Sequence, residues 1–159
     1  MSTSVFSLLV KRRFGPFFFT QFLGAFNDNV FRQALILLIA SGVVAGTEVN
    51  TLNNVALALF ILPFFLFSAL AGQLADKYDR AMLVRRIKLV EIFIMTFAAV
   101  GFFFNAVYFL LAVLFCMGLQ STFFGPIKYS IIPQHLPSRE LVSGNALVEM
   151  GTFLAILLG

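Results

Sequence analysis

Tryptophan is absent from this chain, cysteine and histidine occur once each, and only 11% of the residues are charged. The single thiol, Cys116, cannot form an intrachain disulfide, and in its apolar run it is expected to be a small packing residue. So little charge excludes an ordinary soluble domain, in which roughly a quarter of the residues are charged. No spaced His, Cys, Asp or Glu set suggests a metal, and there is no nucleophile elbow and no phosphate-binding glycine loop. The sequence therefore predicts no metal, no cofactor and no catalytic centre.

What it has instead is apolar length. Hydrophobic residues make up 60% of the chain, 22 of them Phe, and the mean hydropathy is +0.98. Apolar segments run over about 17–44, 55–75, 85–104, 107–124 and 141–159, each long enough to cross a bilayer as a helix. The fold expected is an all-α membrane protein of about five transmembrane helices. Residues 125–140 hold Pro126, Pro133 and Pro137 and are expected to break regular helix, with Ser138 capping the next one. The last segment reaches Gly159 with no polar flank, which predicts a polypeptide that continues into further helices. Lys11, Arg12 and Arg13 ahead of an apolar run imitate a signal peptide. The run continues past any cleavage point, however, so an uncleaved first helix is expected.

The eleven Lys and Arg residues fix an orientation. Lys11, Arg12 and Arg13 precede segment one; Lys77, Arg80, Arg85, Arg86 and Lys88 lie between two and three; Lys128 and Arg139 lie between four and five. The other two breaks contain none, and only Arg32 falls in the middle of a segment, since Arg85, Arg86 and Lys88 mark the very start of the third. By the positive-inside rule the N-terminus is cytoplasmic in a multi-pass protein. The basic charge is topogenic, and no nucleic-acid partner is expected.

Charges inside apolar helices demand a reason. In GAFNDNVFRQALILLIA, residues 24–40, Asp28 and Arg32 fall one turn apart on a helix face, and Asn29 and Gln33 form the neighbouring stripe. Such a strip faces either a polar pathway for a substrate or coupling ion, or a packed helix that it merely glues. Glu149, one turn from Asn145, is expected either in the same cavity or paired with Lys128. Glu91 is expected to pair with Lys88 three residues earlier. In GQLADKYDR, residues 72–80, Gly72 would admit a neighbouring backbone, Asp76 would accept from a helix N-terminus, and Lys77 and Arg80 would supply movable charge pairs, together forming a conformational latch. His135 and Glu140 are spaced like the His-x4-Asp of glycerolipid acyltransferases, but Glu replaces Asp and no phosphate-binding block follows, so catalysis is not expected.

GQLADKYDR also resembles the cytoplasmic signature between the second and third helices of the major facilitator superfamily, roughly Gly-x-x-x-Asp-(Arg/Lys)-x-Gly-Arg. Gly72, Asp76, Lys77 and Arg80 match, and Asp79 stands where Gly is usual. QFLGAFNDN (21–29), FFGPIKYSIIPQHLP (123–137) and SGNALVEMGTFLAILLG (143–159) are similar to the lysophospholipid transporter branch, particularly the transporter part of bacterial fusions with an acyltransferase and an acyl-carrier-protein synthetase. The resemblance implies the N-terminal portion of a twelve-helix major facilitator bundle in the bacterial inner membrane. That protein would flip lysophospholipid, chiefly lysophosphatidylethanolamine, for re-acylation, with an acyltransferase as a further partner. It implies that Asn27, Asp28 and Asn29 lie on a cavity-facing first helix, and it draws attention to Lys128 as a headgroup or acidic-partner contact. The residues alone leave open another small-molecule substrate, a fused enzyme, or a small membrane protein acting by helix association.

Overall fold

A computed structural model describes residues 5–44, 46 and 48–159, and every regular element among them is helical. A 3-10 helix (Val5–Val10) precedes α1 (Gly15–Leu38), which passes into a π-helical turn at Ile39–Val43. Then come α2 (Val49–Lys77), α3 (Arg80–Phe103), α4 (Val107–His135), a 3-10 turn at Ser138–Glu140, and α5 (Leu141–Leu158). The chain forms two compact units: the N-terminal part to Val30 with Lys128–Gly159, and Phe31–Ile127.

The first unit is organised by phenylalanines against glycines. Pro16 sits in the first turn of α1, where its missing N–H costs nothing. Gly15 is required just ahead of it, because a Cβ there would lie 2.3 Å from the Leu9 carbonyl oxygen. Phe18, Phe22 and Phe26 recur every four residues and stack, with centroids 6.2 Å and 6.5 Å apart. The buried face of α5 is made of Gly144, Leu147, Val148, Gly151 and Ala155. A Cβ at Gly151 would come within 2.8 Å of the Phe18 ring, so the absence of a side chain lets α1 and α5 approach closely. Phe14, Phe18, Ile132, Leu136, Leu147 and Val148 close this core together with Leu8 of the N-terminal 3-10 helix.

The second unit packs Phe31, Leu35 and Ile39 at the end of α1 with Leu52, Ala98, Leu110, Leu114 and Met117 of α2 to α4. Here α2 and α4 touch backbone to side-chain position: a Cβ at Gly118 would sit 2.4 Å from the Phe60 carbonyl oxygen. Asp79 caps α3, its Oδ1 accepting from the Met82 amide at 2.7 Å. The α3–α4 turn is tight, with Asn105 in the left-handed region at φ 50°.

Several expectations change. α2 begins at Val49, six residues before the predicted Val55, and α3 begins at Arg80 rather than Arg85. The fourth helix does not stop at Phe124. It runs through Pro126 and Pro133 to His135, because each proline removes one helix donor while Ile127, Ile131 and Ile132 bury on both sides of the gap. Ser138 makes no side-chain cap; Glu140 instead accepts from Lys11 Nζ at 2.9 Å and Arg13 at 2.6 Å. Cys116 is exposed rather than packed.

By length and composition, α2, α4 and the C-terminal helix can cross a membrane. α1 and α3 are long but carry the polar strip and the basic cluster singled out above. On α2 the side chains of Leu57, Ile61 and Leu66 are exposed, and Phe65 is 84% exposed, a surface that lipid tolerates and water does not.

Candidate functional site

The densest polar cluster of the first unit runs from a buried amide beside the phenylalanines and glycines just described to a half-exposed carboxylate. On α1, Gln21 is only 2% exposed. Its Nε2 donates to the Val148 carbonyl oxygen at 2.9 Å and to Thr152 Oγ1 at 3.2 Å, both on α5. Thr152 Oγ1 in turn donates to the same Val148 oxygen, at 2.9 Å, and accepts from Lys128 Nζ of α4 at 3.3 Å. Lys128 also faces Glu149 Oε1 at 3.5 Å, and its ammonium stands 4.7 Å from the centroid of the Tyr129 ring. The Tyr129 hydroxyl donates to that same Glu149 oxygen. Three helices thus deliver one cation, one anion, a hydroxyl pair and an amide to a single place.

Glu149 faces Lys128, the partner named in one of its two expected roles. Asn145, one turn before it, is exposed. Asn27, Asp28 and Asn29 belong to the same unit. Asn29 is buried and its Nδ2 donates to the Ala25 carbonyl oxygen at 2.8 Å, while Asn27 Nδ2 is buried without a hydrogen-bond partner among the described residues. Arg32 and Gln33 belong to the second unit, where the Arg32 guanidinium carbon lies 5.9 Å from the centroid of the Phe60 ring and Gln33 is exposed.

A second polar group lies within the second unit. Lys88 and Glu91 of α3 pair at 2.6 Å, as their spacing predicts, and Gln120 Nε2 of α4 donates to the same carboxylate at 2.9 Å. Lys88 Nζ is 4.7 Å from the centroid of Phe124, so this pair joins α3 to α4.

The segment read as a latch spans the end of α2 and the start of α3. A Cβ at Gly72 would meet nothing within 4 Å among the described residues. Asp76 and Lys77 are exposed, and the Lys77 ammonium lies 5.7 Å from the Tyr78 ring centroid. The N-terminus of α3 is capped by Asp79. Arg80 is the first residue of α3.

Comparison with known proteins supplies the frame for these clusters. The profile of a major facilitator family described as transmembrane secretion effectors matches residues 34–159. The chain belongs to that family. Curated relatives of this facilitator include several named lysophospholipid transporter LplT. That of Photorhabdus laumondii is 28% identical over 161 residues, covering 99% of this chain and 37% of the relative. Those of Enterobacter sp. strain 638 and Escherichia fergusonii are each 30% identical over 142 residues, covering 87% of this chain and 32% of the relative. The chain thus spans about a third of the length of the relatives it matches. No solved structure matches it. As a member of a transporter family built from apolar helices, this facilitator is a multi-pass membrane protein.

Proposed function

We propose that this facilitator is the N-terminal bundle of a transporter that moves lysophospholipid across the bacterial inner membrane, by alternating access and without covalent chemistry. The observation that carries the reading is the Lys128–Glu149 pair held among apolar helices by Gln21, Tyr129 and Thr152. A largely enclosed ammonium beside a carboxylate suits a headgroup that bears a phosphate, and the surrounding Phe and Leu suit an acyl chain. The names of the relatives support the substrate class.

In this reading all five helices span the bilayer. Asn27, Asp28, Asn29, Arg32, Gln33 and Glu149 line the substrate path, and Gly72, Asp76, Lys77 and Arg80 form the cytoplasmic latch that closes it. The remaining helices of the same protein complete the cavity, and an acyltransferase restores the second chain after delivery.

The test is uptake of radiolabelled lysophosphatidylethanolamine by the complete protein in proteoliposomes. The wild type is expected to accumulate it, with competition by unlabelled lysophospholipid. Asp28→Ala and Arg32→Ala are each expected to abolish uptake while membrane insertion is unchanged. Full uptake by both variants would remove these residues from the path, and competition only by an unrelated solute would change the substrate class. Asp76→Asn is expected to shift cysteine accessibility between the two faces, and unchanged labelling would refute the latch.

A further inference from the structure

We propose that Glu149 reads the ammonium of the transported headgroup, so that Lys128 and Glu149 together form a subsite for a zwitterionic phosphodiester. This rests on the lysophospholipid reading above and adds to it the residue that selects among headgroups. The two partners are unequally buried: the Lys128 side chain is 13% exposed and that of Glu149 is 42% exposed. The cation is therefore enclosed, and the carboxylate is the accessible half of the pair.

Their separation of 3.5 Å is looser than a charge-assisted hydrogen bond, which closes to about 2.7–2.9 Å. Glu149 is oriented less by Lys128 than by the Tyr129 hydroxyl, which binds the same oxygen. Lys128 in turn is anchored to Thr152, itself tied to Gln21. An ammonium has three donors. Two of those of Lys128 are directed at Glu149 and Thr152, and the loose contact with Glu149 is the one a phosphate oxygen can replace.

A headgroup with an amine two carbons from its phosphate then places its own ammonium beside the carboxylate just released. One ion pair becomes two, and no charge is left alone in the apolar surroundings. A headgroup that carries the phosphate but no amine fares differently: its phosphate meets Lys128 but leaves Glu149 uncompensated next to a second negative charge. The same carboxylate thus attracts one headgroup and repels the other, which is how specificity arises from a difference in affinities. Tyr129 acts as a positioning residue, holding the carboxylate where the amine arrives.

The experiment compares kcat/KM for lysophosphatidylethanolamine and lysophosphatidylglycerol, using the complete protein and its Glu149→Gln and Tyr129→Phe variants in proteoliposomes. Glu149→Gln keeps the side-chain shape and removes the charge. It is expected to lower ethanolamine-lipid transport roughly tenfold while glycerol-lipid transport rises. Tyr129→Phe is expected to move the ratio in the same direction by a smaller factor. The glycerol lipid reports on folding, so a parallel loss of both substrates would mean that Glu149 is structural and would overturn the assignment. Undiminished ethanolamine-lipid transport by Glu149→Gln would overturn it as well. If the wild type moves neither lipid, the lysophospholipid reading itself falls and takes this subsite with it.

Discussion

Gly72 and Gly118 both interrupt apolar helices, yet their surroundings differ. At Gly118 an added Cβ would lie 2.4 Å from a carbonyl oxygen of α2, and backbone cannot yield as a flexible side chain can. Gly118→Ala is expected to push α2 and α4 apart and destabilise the chain by about 1–3 kcal/mol, read as a lower midpoint in thermal unfolding in detergent. Gly72→Ala meets nothing and exchanges a poor helix former for the best one, so the same measurement should show a gain of up to about 1 kcal/mol. At this scale the sequence announces which residues are out of place but not what they touch. Asp28, Arg32 and Glu149 stand out because they are polar in apolar runs. Gln21, Tyr129 and Thr152 complete the Glu149 cluster from three helices, and no periodicity within one helix encodes a meeting of three. A polar side chain in each apolar run was the available signal.

Elements begin and end where local chemistry allows, and two boundaries can be tested. Asp79 occupies the position where the superfamily signature has glycine, and it caps α3 through its carboxylate. Asp79→Ala is expected to cost about 1 kcal/mol, and Asp79→Gly only a few tenths, measured by thermal unfolding. At the other end of α3, Asn105 holds a positive φ, a conformation that costs a β-branched residue about 1–2 kcal/mol. Asn105→Val should therefore lower the unfolding midpoint and Asn105→Gly should not. The helical content of the five segments was legible from their apolar length. The reach of α4 was not, because reading three prolines as a stop weighs the lost donors at Pro126 and Pro133 and overlooks the burial of Ile127, Ile131 and Ile132. Only at Pro137, where the backbone is extended, does the helix give way.

For the molecule as a whole, the distribution of Lys and Arg makes a prediction that no single contact makes. Apart from Arg32, they lie in the N-terminal flank, at or near the α2–α3 junction (Lys77 to Lys88), and towards the α4–α5 junction (Lys128 and Arg139). In a Cys116→Ser background, Arg12→Cys is expected to react with a membrane-impermeant maleimide only after permeabilisation of the cells, and Asn50→Cys is expected to react in intact cells. The reverse pattern would invert the orientation.

The α3–α4 turn bears on how such a protein is made. The amides of Phe104, Asn105, Ala106 and Val107 all donate to nearby carbonyl oxygens, those of Val100, Phe102, Gly101 and Asn105, and none of these four residues carries a charge. During biogenesis the loop that crosses the hydrocarbon core must shed its water, and here the peptide groups have already found partners within the turn. In the proposed arrangement of five spanning helices with a cytoplasmic N-terminus, the two helices enter the bilayer together as a preassembled pin, tip first, while the charged turn at 76–80 stays behind on the side of synthesis.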